Sequence, residues 1–269
     1  MPIKPSKRVK AISYESFHAL DYKVMGMAFS IHRELGRFWN EKIYQNELAY
    51  RCQKAGMDVA GEVAIEASYQ DFRKSYFIDL LINNAIYELK AAKSLTKEHE
   101  KQTINYLMLT GMNYAKLLNF RPSSVQYRFV STNLTPRARY HFTIIDNDWH
   151  DIDKRSMWLK SMVLDLLGDW GAFLETTLFY DALTHFLGGE DKVLTKIKVT
   201  KGAHHIGVQK VHLLSSDVAF KITSVTKNEQ SYERNLYRFI RFTSLRAIQW
   251  INMNHELILF KTIFNKAYA

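Results

Sequence analysis

Two runs rich in β-branched, aromatic and leucine side chains, Ser75 to Ile82 and Ala85 to Ala91, are separated only by Asn83-Asn84. Asparagine tolerates positive φ, so this dipeptide suits a two-residue hairpin turn. The turn sets a register in which Ile82 faces Ala85, Leu81 faces Ile86, Leu80 faces Tyr87 and Asp79 faces Glu88. Directly opposed side chains have Cβ atoms roughly 4.5–5.5 Å apart, and like charges there repel. Lys90 lies two residues beyond Glu88 and points to the same face, which also carries Leu81 and Ile86. Two carboxylates and an ammonium on a covered face are expensive to desolvate. A divalent cation between the carboxylates offsets that cost, and an all-oxygen donor set suits Mg²⁺ or Mn²⁺. The competing reading is a solvent-facing charge cluster at a hairpin end, because the D-x8-E-x-K spacing also recurs by chance.

The flanking segments place this hairpin in a mixed fold. Leu20, Val24, Met27, Ala28 and Ile31 recur at helical spacing, which predicts a helix from Tyr14 to about Leu35 with Gly36 as its stop. A second helix is expected from about Asn40 to Ala55, with Ile43, Leu48 and Cys52 on its apolar stripe. Val59 to Ala67 alternates like a strand. Thr96, followed by Glu98 and Glu100, starts a helix that Gly111 closes; Tyr114 to Phe120 and Val125 to Ser131 read as strands. Gln102 and Tyr106 share one face of that helix, four residues apart, where they reach either the site or only the core. The order helix, helix, three strands, helix, two strands indicates an α/β core, a mixed sheet flanked by helices.

Formal charge is +10, which favours an anionic partner, with nucleic acid first. The single cysteine, Cys52, excludes an internal disulfide and any multi-cysteine zinc cluster. No signal-peptide pattern follows the basic start, and no run approaches the roughly 18 apolar residues of a membrane span. The expectation is a cytoplasmic protein with no membrane partner.

Taken together, these residues resemble the PD-(D/E)XK nuclease superfamily, and within it the GxxExxY family. The likeness runs from about Leu20 to Ser131. VMGMAFSIHRELG is similar to that family's first helix, FWNEKIYQNEL places Glu41 and Tyr44 at its E and Y, and IDLLINNAIYELKAAKSLTKEHEKQTINYL carries Asp79, Glu88, Lys90, Gln102 and Tyr106 in register. TGMNYAKLLNF resembles its next strand. Three positions depart from the pattern: Phe38 stands where the naming glycine is expected, Phe77 where an arginine often precedes the Asp motif, and Ser30 where a glutamate is common. The resemblance implies a restriction-endonuclease-like fold and a Mg²⁺- or Mn²⁺-dependent nuclease. Asp79 and Glu88 are then metal ligands, Glu41 a further ligand directly or through water, and Lys90 the group that orients water or meets transition-state charge. Gln102 and Tyr106 correspond to an accessory helix motif of RecB-type members. His32, a lone histidine on an apolar helix face, reads as structural.

The second half echoes the first. WGAFLETTLFYDAL is similar to LGRFWNEKIYQNEL, with Glu175 near the position of Glu41, and VHLLSSDVAFKITS to IDLLINNAIYELKA. These likenesses predict a duplicated fold, with an intact nuclease-like domain over 1–132, a boundary over 133–155 and a degenerate copy over 156–269. In that copy a Ser216-Asp217 turn places His212 opposite Lys221, Thr223 replaces Lys90, and Tyr232 replaces Gln102. Two such cationic groups suit a nucleic-acid phosphate better than a divalent metal. Two functions are therefore expected. The first is a metal-dependent nuclease, with DNA ahead of RNA as substrate. The second is a catalytically inactive nucleic-acid-binding or assembly protein on the same fold. A homo-oligomer or a larger defence or repair complex is the expected setting.

Overall fold

The computed structural model describes residues 2–268; the terminal residues of the two expected domains, 1 and 269, lie outside the described residues. Two compact units are present, the first comprising Met1–Ser68 and Arg73–Ala138, the second Tyr69–Phe72 and Arg139–Ala269. The boundary falls inside the 133–155 stretch, which also supplies a strand of the second sheet.

In the first unit, helix α1 (Tyr14–Leu35) begins where the Ser13 side chain accepts from the Ser16 amide and ends at Gly36, whose φ of 72° favours glycine. Its stripe of Phe17, Leu20, Val24, Ala28 and Ile31 is buried. Helix α2 (Glu41–Lys54) is capped by Asn40, whose side chain accepts from the Ile43 amide. Its buried stripe runs through Tyr44, Leu48 and Cys52, while Ile43 is 41% exposed. Tyr44 takes the place expected of Ile43 because its ring stacks on Phe120 at 4.5 Å and its hydroxyl donates to Gly36 O at 2.8 Å. A buried tyrosine thus keeps a partner for its polar tip. Cys52 is fully buried, and burial pushes its thiol up to about 11.

These helices cover a six-stranded mixed sheet of β1 (Ile3–Pro5), β2 (Val59–Tyr69), β3 (Phe72–Ile82), β4 (Ala85–Lys90), β5 (Tyr114–Asn119) and β6 (Gln126–Ser131), in that order. Asn83 and Asn84 adopt φ of 44° and 62°, the double positive φ of a tight hairpin turn. Strands β4 and β5 are parallel, so the chain crosses over through α3 (Lys97–Thr110). Thr96 caps α3 as expected, although its reciprocal partner is His99 and not a glutamate. The core joins α1 and α2 to Leu80, Ile82, Ala85, Tyr87, Leu89, Leu118 and Phe120. Alternation then turns Asp79, Leu81, Ile86, Glu88 and Lys90 away from that core.

The second unit contains β7 (Thr143–Asp148), α4 (Lys154–Trp170), α5 (Thr176–Phe186), α6 (Glu190–Val193), β8 (Leu194–Lys201), β9 (His204–Leu213), β10 (Val218–Thr223), α7 (Glu229–Ile240), β11 (Ala247–Asn254) and β12 (Leu257–Phe264). Its sheet runs β7-β12-β11-β10-β9-β8. From β9 to β12 the pairings are antiparallel, parallel across α7, then antiparallel, as they are from β3 to β6. The expected mixed α/β core is therefore present in two sheet units. No helix among the described residues is long and apolar enough to cross a membrane.

The α2 stripe has a measurable consequence. Leu48→Ala should destabilise the protein by about 2–5 kcal/mol, whereas Ile43→Ala should stay within about 0.5 kcal/mol. Urea denaturation of the two variants distinguishes them, and equal losses would contradict the stripe.

Candidate active site

The expected hairpin register holds for Ile82↔Ala85, Leu81↔Ile86 and Leu80↔Tyr87, and stops there. One pair further on, the two carboxylates replace the ladder. Glu88 Oε1 accepts from the Asp79 amide at 3.1 Å, and Asp79 Oδ2 accepts from the Leu89 amide at 2.8 Å. An antiparallel ladder would next pair Leu89 with Ile78, so the Asp79 carboxylate takes over an amide that a backbone carbonyl would otherwise bind. The carbonyl of Asp79 accepts from Gln45 Nε2 of α2 at 2.6 Å. Gln45 is buried and lies one helical turn after Glu41. That i, i+4 relation was the signal that could have identified it.

Lys90 gathers the group. Its Nζ stands 3.7 Å from Glu88 Oε2 and 3.9 Å from both Asp79 Oδ2 and Glu41 Oε1. Three carboxylates from α2, β3 and β4 thus converge on one ammonium. Glu88 is only 1% exposed. Burial, then the neighbouring Asp79 charge, hold its carboxyl well above the usual carboxylate range, against the opposing pull of Lys90. Glu41 is also raised, first by desolvation, with Lys90 and the Ala91 amide pulling it down and Asp79 pushing it up. No group of three or more His, Cys, Asp and Glu side chains among the described residues is arranged to hold a metal ion.

Gln102 and Tyr106 do share a helix face, where Gln102 Nε2 donates to the Tyr106 hydroxyl at 2.8 Å. Tyr106 is buried with its ring edge-on to Tyr76. His32 binds the Pro122 carbonyl at 3.0 Å, a structural role as expected.

Asn119 was not anticipated. It pairs with Lys90 across the parallel β4–β5 ladder, and its side chain accepts from the Ala92 amide at 3.0 Å and donates to the Ala92 carbonyl at 2.8 Å. It fixes the chain where it leaves β4. Arg121 then donates from Nε to the Ala91 carbonyl and from Nη2 to the Trp39 carbonyl, both at 3.3 Å, tying the α1–α2 loop to the same exit.

Residues 18–130 match the model of the PD-(D/E)XK nuclease superfamily. The match lies within the first unit and covers less than half of the chain; this unit is similar to that superfamily, which suggests nuclease activity, and members of the superfamily generally use divalent metals. Searches of curated proteins and of solved structures found no match.

In the second unit, outside the PD-(D/E)XK match, the expected His212–Lys221 opposition does not form. Leu214 and Ser215 amides both bond the Val218 carbonyl, giving a connection one residue longer than Asn83-Asn84. His212 therefore pairs with Phe220, the register position of Leu80, and Val211 takes the position of Asp79. A one-residue shift changes the face of every side chain on the strand. The His212 ring packs 4.5 Å from Tyr180 of α5, whereas Val211 and Ala219, on the opposite face with Lys221, pack in the α7 cluster. Burial, then the Lys221 charge, hold the His212 imidazole below its ordinary value. Glu175 stands at the N-cap of α5, the place of Asn40 and not of Glu41.

A pH dependence follows from Glu88. The unfolded chain releases this proton near the ordinary glutamate value while the folded chain retains it, so rising pH weakens the fold until the raised folded value is passed. Glu88→Gln removes that loss. In metal-free buffer its melting temperature should gain on the parent as pH rises from 4 to 8 (roughly the range spanned by such shifts), and a constant difference would contradict a buried, proton-retaining Glu88.

Proposed function

We propose that the first unit is a metal-dependent nuclease that hydrolyses phosphodiester bonds, with DNA ahead of RNA as substrate. The convergence of Glu41, Asp79 and Glu88 on Lys90 at the broken end of the hairpin carries this reading. The donor set fits Mg²⁺ or Mn²⁺, because such ions take hard oxygen ligands and are commonly held by one or two carboxylates, completed by water and substrate phosphate. That need for few protein ligands accords with a site in which Asp79 and Glu88 are the main ligands and Glu41 acts directly or through water. Glu88, which favours its proton without metal, would lose it on binding a cation.

A bound divalent cation supplies a Lewis acid for the phosphate and the attacking water. The chain's own groups do the positioning. Glu41 and Asp79 orient a water for attack on phosphorus, and Lys90 meets the negative charge that develops on the phosphoryl oxygens. The P–O bond to the leaving group opens, leaving a phosphate on one end and a hydroxyl on the other. Gln102 and Tyr106 act as positioning residues that brace α3. The second unit is read as a degenerate copy that braces or binds substrate. Asn252 supports the duplication: it pairs with Thr223 in the register of Asn119 and Lys90, and it clasps the Val225 amide and carbonyl as Asn119 clasps those of Ala92. Its Val211, Lys221 and Thr223 occupy the registers of Asp79, Glu88 and Lys90. A role for His212 and Lys221 in binding nucleic acid remains a proposal for two separate groups, not a joint phosphate clamp.

One observation favours a second reading, a catalytically inactive nucleic-acid-binding protein. The Lys90 ammonium already offsets part of the carboxylate charge without metal. The two readings separate cleanly. With Mn²⁺ or Mg²⁺, purified protein should cleave DNA or RNA substrates, and Glu88→Ala and Lys90→Ala should each slow cleavage by about 10²-fold or more. Unchanged cleavage by Glu88→Ala would sink the assignment. Salt-sensitive binding without turnover, and without Mn²⁺ heat in calorimetry, would establish the second reading instead.

A further inference from the structure

The α1–α2 loop, Gly36 to Asn40, leads directly into Glu41 at the start of α2 and carries two large aromatic side chains that stay open. Phe38 is 79% exposed and Trp39 50%. Trp39 precedes Glu41 by two residues, and its ring does not float. Trp39 Nε1 donates to the Leu35 carbonyl at the end of α1 at 2.9 Å, while its own carbonyl accepts from Arg121, which also holds Ala91 next to Lys90. The Arg37 guanidinium lies over the Phe38 ring, 5.3 Å from its centroid. The loop is therefore fixed to the carboxylate cluster at one end and presents aromatic surface with adjacent positive charge at the other.

Burying neither ring is costly for a folded chain, since each forgoes a large apolar transfer gain. No packing partner explains this exposure: the ordering contacts are polar and at the margins of the loop. Exposed, pre-ordered aromatics flanked by arginine are the combination that holds nucleobases, each base offering a π face to stack and each phosphate a charge to pair. The two guanidinium groups, Arg37 and Arg121, and the chain's charge of +10 are complementary to an anionic strand. A base inside a duplex is already stacked on both faces and cannot lie on these rings.

We propose that Phe38 and Trp39 form a stacking platform for an unpaired base next to the scissile phosphate, so that the substrate is single-stranded or unpaired at the cut. This rests on the nuclease reading of the adjacent carboxylates, and the test separates the two. Binding of a fluorescent oligothymidylate and of a hairpin duplex is measured by anisotropy in EDTA, where metal-dependent cleavage cannot occur. Trp39→Ala should weaken oligothymidylate binding about ten-fold, the loss of one base–aromatic stack, with duplex binding little changed. Trp39→Phe should restore most of the affinity, and Phe38→Ala should weaken it in the same selective way. Thermal melting checks that these surface variants remain folded. Oligothymidylate affinity unchanged in both alanine variants, or an equal loss for single strand and duplex, overturns the platform. So does a change from dimer to monomer on gel filtration with oligonucleotide affinity intact, which would make the rings a self-association contact. Selective loss of binding in a protein that cleaves nothing supports the platform and refutes the nuclease; cleavage with no such loss does the reverse.

Discussion

The site depends on the exchange of two backbone hydrogen bonds for two carboxylate ones at the end of the β3–β4 hairpin. Up to Leu80↔Tyr87 the strands pair by main chain alone. Beyond it, Asp79 and Glu88 each accept an amide from the other strand, so the sheet is opened without leaving those donors unsatisfied. Gln45 adds a third side-chain contact from α2 by donating to the Asp79 carbonyl. Glu88 Oε2, and Asp79 Oδ2 that already accepts the Leu89 amide, then lie near Lys90. Like charges held this close need compensation: Lys90 supplies part of it, and burial with the Asp79 charge raises the proton affinity of Glu88 where Lys90 falls short.

Much of this was legible in the chain because the constraints were local. Asn83-Asn84 fixes a turn, the turn fixes a register, and the register brings Asp79, Glu88 and Lys90 together. Periodicity likewise located α1 and the Gly36 stop. What stayed hidden required a partner distant in sequence. Gln45, Asn119 and Arg121 act on the Asp79, Ala92 and Ala91 main chain, and only Gln45 has a local signal, its place one turn after Glu41. The Ile43-for-Tyr44 difference has the same origin, since only the fold brings Phe120 and Gly36 to Tyr44. The ladder break at Asp79 was also unreadable, because an ideal hairpin would have continued.

If the second unit is a duplicate, as proposed above, little separates it from such a site. Its strand order from β9 to β12 follows that of β3 to β6, and Asn252 repeats the clasp of Asn119. One extra residue in the β9–β10 connection moves His212 to the other face and leaves Val211 in the register of Asp79. The clasp is a matter of fold stability and can persist when the acids do not. Thr223 in place of Lys90 now serves packing, accepting from Trp250 Nε1 and donating to Asn252 in a buried network.

The central claim is that the opened hairpin end holds a divalent cation between Asp79 and Glu88. A crystal of the protein soaked in Mn²⁺ and measured at the manganese absorption edge tests it directly. The account predicts an anomalous peak bound by carboxylate oxygens of Asp79 and Glu88, with Lys90 displaced from between them. A soaked crystal in which Lys90 keeps its place among the carboxylates, with no anomalous density beside them, would contradict it.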